Sequence, residues 1–335
     1  MSNCNPSSQD MSKNDNHNGV DTYTKNYIKD KEVFADAFNY FLYGGKKVIR
    51  PKQLQTVDTT EVVVPYGEDE TGFKKQPVQK IRDSFYSVMT DNKCVYMLLG
   101  LENQTHPDNA MPVRNGLYDF MEYAAQVQEA AKAHRKAKNY GDTDDFLSGF
   151  HKTDKLIPVY TLVLYWGTGG WSAPRSLFEM LDLKEGSDYY GLNDWKLNLI
   201  IPDEITEEDA LEKFGSELGK ALIYVKNMGN LKESERIYRD KRFRVLKPET
   251  ALLLNEIMKF DLEIDRRERE VDMCAAVEKW KKDAESRGMR EGSILSAIDA
   301  WRDVEISDDE IMNRIVIKYN LSVEEAKEYM SKISA

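Results

Sequence analysis

Three oxygen-bearing side chains lie in two apolar segments that a short turn connects. Asp83 lies in KIRDSFYSVM, and Glu102 and Gln104 end the following segment CVYMLLGLENQ. Side chains two apart on a β-strand point to the same face, so Glu102 and Gln104 are expected to project together. The turn TDNK makes a hairpin of the two segments inexpensive in loop-closure entropy. Hairpin pairing would place Asp83 beside Glu102 and Gln104.

Such a group of side chains is typical of a divalent metal site. Two carboxylates that meet at the ends of buried strands repel each other, and a divalent cation relieves the repulsion. Mg²⁺ or Mn²⁺ would bind through one or two carboxylates and take its other ligands from water and phosphate. It would lower the pKa of a bound water from about 16 towards 7, which favours phosphodiester hydrolysis. The residues alone leave a second interpretation open, in which Asp83 and Glu102 cap strands or pair with Arg82 and Arg114.

The elements around this group follow an α/β order. Helical spacing from Tyr27 ends at Gly44 and Gly45, and the alternating segment QLQTVDTTEVVVP predicts a strand after it. The two strands of the hairpin come next, then a helix over 109–134, and then a buried strand in KLIPVYTLVLYWG. The predicted helix buries an apolar face made of Val113, Leu117, Phe120 or Met121, Ala124, Val127 and Ala131.

The two ends of the chain differ from this centre. Residues 1–25 are rich in Ser, Asn, Asp and Gly, which predicts a disordered tail. Beyond residue 170 the pattern is mainly helical, beginning with a short helix in WSAPRSLFEMLDL. Residues 273–335 are predicted to form a helical region whose last two helices meet at 320–322, where Ser322 and Glu325 form a capping box. This region is expected to pack or to form a homo-oligomer.

Composition narrows the classes of function. The chain has 335 residues, 41% of them hydrophobic, and lacks an apolar run of about 18 residues, which predicts a soluble cytoplasmic protein without a membrane partner. The three cysteines and four histidines show no zinc-ligand spacing. The net charge of −11 arises mostly from residues 171–335, with 27 basic and 36 acidic side chains. A nucleic-acid partner is therefore compatible with the sequence, although the composition does not predict one.

The chain contains a series of ordered blocks that begins with FADAFN at 34–39, LYGGKKVI at 42–49, VDTTE at 57–61, KIRD at 80–83, YMLLGLENQT at 96–105 and MPVRNGLYDFMEY at 111–123. The series continues through LVLYWGTGGWSAPRSL and into MCAAVEKW at 273–280, so it covers most of the chain after residue 26. Together these blocks resemble the recombination-promoting nuclease and putative transposase family, part of the PD-(D/E)XK restriction-endonuclease-like superfamily.

The resemblance implies a nuclease domain over 26–272, a mixed sheet flanked by helices with helical additions after about 170, and a helical extension over 273–335. It implies a metal-dependent DNA endonuclease associated with transposition or recombination. Asp83 matches the first motif carboxylate, and Glu102 with Gln104 matches an ExQ form of the (D/E)xK element. Asp36, or alternatively Glu32, is expected to complete the metal shell.

Four residues are further expected to contact DNA, namely Arg114, Tyr118, Lys80 and Arg82. Arg114 and Tyr118 are one helical turn apart and could contact a phosphate, or they could form a salt bridge to Asp108 or Glu102 and a packed tyrosine. Gln104 departs from the usual lysine, and a neutral amide can orient water but cannot stabilise developing charge as an ammonium does. A catalytically weak nuclease fold that binds DNA or protein is therefore the alternative function.

Overall fold

The computed structural model describes residues 19–57, 83–91, 94–184 and 191–332, together with the backbone of two short strands at 62–63 and 78–79. The chain divides into two compact units. The first unit includes the described residues up to Phe260 and the segment Ile264–Val271, and the second includes Asp261–Glu263 and the described residues from Asp272 onward. Within these ranges, no helix is both long enough and apolar enough to cross a membrane.

The first unit is an α/β fold with a mixed five-stranded sheet, as the sequence predicts. Strands β1 (Leu54–Thr56), β4 (Ser84–Met89), β5 (Val95–Gln104), β6 (Val159–Tyr165) and β7 (Asn198–Ile200) lie in the order β1-β4-β5-β6-β7. The first three are antiparallel neighbours, whereas β5, β6 and β7 run parallel. The long strand β5 is therefore paired on both edges, which explains its apolar sequence. Strands β2 (Val62–Val63) and β3 (Val78–Gln79) form a separate pair, so the single strand predicted over 53–65 is divided between β1 and β2.

Helices cover both faces of the sheet. Residues 19–28 form α1 and Lys31–Tyr43 form α2, which packs Phe34 against Tyr86 of β4 with ring centroids 4.5 Å apart. Asp30 caps α2 by accepting the Glu32 N–H at 2.7 Å, and Gly44 ends the helix at φ 60°. On the other face, α3 (Met111–Ala137) lies against β6. The remaining helices of this unit are α4 (Thr143–Ser148), α5 (Glu207–Glu212), α6 (Leu218–Asn227), α7 (Leu231–Arg239) and α8 (Pro248–Met258), with a short strand β8 (Val245–Leu246) before α8.

The buried face of helix α3 agrees only in part with the face that its apolar pattern predicts. Val113, Leu117 and Phe120 are exposed, whereas Asn115 and Asp119 are buried. Asp119 accepts a hydrogen bond from the Thr161 hydroxyl at 2.5 Å, so the buried polar stripe has partners on β6. Met121 and Ala131 of the predicted face are buried, so the prediction is confirmed in part. At the exposed positions it was wrong, because buried polar residues that contact polar groups of the sheet take the place of apolar ones.

Two further expectations concern the region after residue 170. The segment WSAPRSLFEMLDL contains only a single 3₁₀ turn at Phe178–Met180, where the sequence predicts a short helix. A short strand β9 (Val271–Asp272) ends the first unit and begins the second, which contains α9 (Met273–Asp303), α10 (Asp308–Tyr319) and α11 (Val323–Lys332). The capping box before α11 is confirmed, since the Ser322 N–H donates to Glu325 at 2.7 Å and the Glu325 N–H donates to the Ser322 hydroxyl at 3.2 Å. Isoleucines of α9 and α10 pack with Ala326 and Met330 of α11 in one core.

Candidate active site

The hairpin of β4 and β5 brings the first two predicted carboxylates together. The register pairs Ser84 with Leu101, so Asp83 lies beside Glu102 at the end of the two strands. The Asp83 carboxylate accepts the Asn103 backbone N–H at 2.7 Å, which fixes it against β5. Its other oxygen lies 3.3 Å from the Lys25 ammonium. The predicted hairpin is therefore confirmed, and Asp83 has one oxygen tied to the strand and the other facing a cation.

Glu102 is buried between the sheet and the beginning of α3. Its side chain is 4% exposed, and one carboxylate oxygen lies 3.4 Å from the Arg114 guanidinium. Arg114 also forms an ion pair with Asp108 at 2.7 Å, and Asp108 accepts the Ala110 N–H at 2.8 Å just before α3 begins. The salt bridges that the sequence left open for Arg114 are therefore both present. A buried carboxylate needs such a counter-charge, since desolvation of an isolated charge is costly.

Five of the predicted residues line one cleft of about 440 Å³. They are Asp83, Glu102, Gln104, Arg114 and Tyr118, and five others complete the lining: Asp21, Thr24, Lys25, Asn103 and Thr105. The cleft therefore contains three carboxylates, two cationic side chains and several neutral hydrogen-bonding groups. Glu102 and Gln104 reach it together because they are two residues apart on β5.

Helix α1 supplies residues that sequence reasoning missed. Lys25 forms an ion pair with Asp21 at 2.6 Å, and both side chains face the cleft. The predicted disordered tail over 1–25 extends too far, because residues 19–25 are helical and belong to the first unit. Val20, Thr24, Tyr27 and Ile28 are all buried. Their spacing of four, three and one residues is that of a helix face and was the signal available in the sequence.

Asn103 connects the site to the buried end of β6. Its side-chain oxygen accepts the Trp166 indole N–H at 2.8 Å, and its amide nitrogen lies 3.4 Å from the Asp83 carboxylate. Trp166 in turn donates its backbone N–H to the Gln104 carbonyl at 2.7 Å. The polar residue between Glu102 and Gln104 therefore holds Asp83 in place. Sequence reasoning passed over it because alternation assigns Asn103 to the opposite face of the strand.

Asp36 is not part of this cleft. Its buried carboxylate accepts the Gly215 N–H at 2.8 Å, the Ser216 N–H at 2.9 Å and the Ser216 hydroxyl at 2.7 Å. The expectation that Asp36 completes the metal shell is corrected, since all of these donors belong to the segment that leads into α6. Glu32, the alternative acid, is largely exposed and also lies outside the cleft. Asp36 connects α2 to the beginning of α6.

This position gives a stability prediction. Asp36→Ala removes the acceptor of three hydrogen bonds at a buried site, so we expect the free energy of unfolding to fall by about 2–4 kcal/mol. Urea unfolding followed by circular dichroism measures it. Glu32→Ala, one turn earlier on the exposed side of α2, is the matched control and should change stability by less than about 0.5 kcal/mol. Equal stability of both variants would contradict the structural role of Asp36.

Two predicted DNA contacts, Lys80 and Arg82, lie outside the residues that the structure describes. Arg114 and Tyr118 both line the cleft. The Nε–H of Arg114 is buried and finds no hydrogen-bond partner within the described part of the chain. The Arg114 side chain as a whole is 37% exposed and therefore remains open to a ligand in the cleft.

The donor types in the cleft fit Mg²⁺ or Mn²⁺, although the carboxylates are arranged in ion pairs. Asp83, Glu102 and Asp21 offer carboxylate oxygens and Gln104 an amide oxygen, the ligands that hard divalent cations prefer. Among the residues that the structure describes, no group of three or more His, Cys, Asp or Glu side chains is placed as a ready metal cage. Lys25 instead lies beside Asp21 and Asp83, and Arg114 lies beside Glu102, so each of the three carboxylates already has a cationic neighbour. A cation that enters the cleft would compete with these two side chains.

Comparisons with known proteins give no match, whether against protein-family models, curated proteins or solved structures. The structure itself shows an α/β protein with an acidic, polar cleft at the ends of its central strands.

Proposed function

We propose that this protein is a metal-dependent DNA endonuclease of the transposase- and recombination-associated kind. The observation that carries the proposal is the cleft in which Asp83, Glu102 and Gln104 lie together at the ends of β4 and β5. The order of elements and the mixed sheet are compatible with the PD-(D/E)XK core that the sequence resembles. In this proposal Asp83 and Glu102 hold Mg²⁺ or Mn²⁺, and Asp21 replaces Asp36 as the helix-borne acid.

The chain's own residues have distinct roles in this proposal. A bound divalent cation would supply a more acidic water and charge neutralisation at a phosphate. Gln104 orients water or a phosphate oxygen through its amide group. Arg114 presents a planar fork of N–H donors, which suits a phosphate, and Asp108 holds that fork at the mouth of the cleft. Tyr118 lies next to it and can contact a flanking phosphate or sugar.

The test is cleavage of supercoiled plasmid DNA by the purified protein. We expect nicked and then linear product with Mn²⁺ or Mg²⁺ and none with EDTA, because both carboxylates need a cation to act on a phosphodiester. Glu102→Ala, purified in the same way and expected to be inactive, is the control that detects a contaminating nuclease. Intact plasmid under every divalent cation would contradict the proposal.

A second candidate is a DNA- or protein-binding module that retains the fold without efficient cleavage. The ion pairs of Lys25 with Asp21 and Asp83, and of Arg114 with Glu102, favour it, because each of the three carboxylates already has a cationic partner. The acidic net charge of −11 also weakens attraction to DNA. This candidate predicts association that EDTA does not change and no cleavage with any metal, so the plasmid assay with a parallel gel-shift measurement separates the two.

A further inference from the structure

A lysine from α1 occupies the cleft where the sequence offers only a neutral amide. The Lys25 ammonium lies 2.6 Å from Asp21 and 3.3 Å from Asp83, and its side chain is 37% exposed. Gln104 reaches the same cleft from β5. The site therefore contains an ammonium, but its source is helix α1 and not the strand that carries Glu102.

The position of Lys25 is fixed by packing of α1 on the strand ends. Tyr27 packs edge-on against Trp166 with ring centroids 6.2 Å apart, and its hydroxyl lies 3.1 Å from the Thr250 hydroxyl in the core. Trp166 is hydrogen-bonded to Asn103 and to the Gln104 carbonyl. The helix that carries Lys25 and the strand that carries Gln104 are thus joined through one buried indole.

Two carboxylates hold this lysine in the cleft. Its ammonium donates a hydrogen bond to Asp21 at 2.6 Å and forms an ion pair with Asp83. Two of the three carboxylates in the cleft thus face one ammonium. Its flexible four-carbon stem allows the charge to move within the cleft while α1 stays in place.

We infer that Lys25 supplies the ammonium that Gln104 lacks and that it stabilises the phosphate charge during cleavage. This inference rests on the proposed nuclease function. In the reaction, a water oxygen bonds to phosphorus while the bond from phosphorus to the leaving oxygen breaks. The attacking water loses its proton to solvent, and the leaving oxygen takes a proton from water. Negative charge builds up on the non-bridging oxygens, where a positioned ammonium is worth far more than an amide.

A Lys25 that only neutralises carboxylates, and takes no part in cleavage, predicts a different result when it is removed. If it served only as counter-ion to Asp83 and Asp21, its removal would strengthen divalent binding and leave the cleavage rate at saturating metal unchanged. A catalytic ammonium predicts a lower rate that added metal does not restore. Metal affinity and the saturated rate therefore have to be measured separately.

The experiment compares Lys25→Ala with wild type in single-turnover plasmid nicking at saturating Mn²⁺, with calorimetric titration of Mn²⁺ in the absence of DNA. We expect the rate to fall about 100-fold, in the range found for loss of one charge-stabilising group, with Mn²⁺ affinity equal to or higher than that of wild type. The matched control is Lys29→Ala, an exposed lysine one turn later, which should keep the wild-type rate. The double variant Lys25→Ala with Gln104→Lys should recover at least about 10-fold, because it returns an ammonium to the cleft from β5.

Each outcome has a distinct meaning. A wild-type rate in Lys25→Ala, or a slow rate that more Mn²⁺ restores, overturns the role of Lys25 while leaving the nuclease proposal intact. A slow variant that Gln104→Lys does not rescue also overturns it, since the loss then has another origin. A wild type that binds Mn²⁺ without cutting overturns the proposed function and the role of Lys25 with it.

Discussion

Asp83→Asn is expected to abolish the stabilisation that Mn²⁺ gives the protein. In wild type, Mn²⁺ at one hundred times its dissociation constant should raise the free energy of unfolding by about 2.7 kcal/mol. The substitution keeps the size of the side chain and an oxygen that can accept the Asn103 N–H, but it removes the charge that faces the cleft. Urea unfolding with and without Mn²⁺ measures the difference.

A matched control separates metal binding from general loss of charge. Asp209 forms an ion pair with Lys213 at 2.9 Å, as Asp83 does with Lys25, but it lies on α5 away from the cleft. Asp209→Asn should retain the full Mn²⁺ effect. If Mn²⁺ stabilises Asp83→Asn as strongly as wild type, Asp83 is not a metal ligand.

Glu102→Gln is expected to reduce the rate of DNA cleavage by about 10³-fold or more. The amide has nearly the same volume as the carboxylate, so packing at this buried position should be preserved. It cannot neutralise a divalent cation, and it leaves Arg114 with Asp108 as its remaining carboxylate partner. Without the Glu102 carboxylate as a metal ligand, both the activated water and the charge stabilisation would be lost, which accounts for a rate reduction of this size. Single-turnover nicking of supercoiled plasmid at saturating Mn²⁺ measures the rate.

The control for Glu102→Gln is another buried acid on the same side of the sheet. Asp119 on α3 accepts a hydrogen bond from Thr161 and does not line the cleft, and Asn at this position can still accept that bond. Asp119→Asn should therefore cut DNA at close to the wild-type rate. Comparable losses in the two variants would indicate a general response to neutralising buried acids and would contradict a special role for Glu102.

The parts of the fold that local patterns determine could be predicted from the sequence. Gly44 ends α2 because its φ of 60° suits glycine, and the short turn after β4 leads to the antiparallel pairing with β5. Alternation along β5 was enough to bring Glu102 and Gln104 to one cleft. These features depend on a few neighbouring residues, so their spacing carries the information.

The features that were missed depend on tertiary contacts. The polar composition of 1–25 outweighed the helical spacing of Val20, Thr24 and Tyr27, and that spacing does not show the surface of Trp166 on which Tyr27 packs. Helix α3 buries Asp119 and exposes Phe120 because Thr161 offers a hydrogen bond on the sheet. A hydrophobic pattern cannot show where such a polar partner will lie.

Asp36 shows the same limit for the candidate site. An acid on a helix next to the hairpin was a reasonable metal ligand, but its partners Gly215 and Ser216 lie almost 180 residues later in the chain. The acid that does line the cleft, Asp21, lies in a segment that composition assigned to the tail. Distances along the sequence gave no means of choosing between them.

The central claim is that Asp83 and Glu102 together make a metal-dependent nuclease site, and one assay tests it most directly. Supercoiled plasmid is incubated with Mn²⁺ and equal amounts of wild type, Asp83→Ala and Glu102→Ala, with folding of each protein verified by circular dichroism. We predict nicking by wild type and intact plasmid with both variants. Equal nicking by all three proteins would contradict the claim.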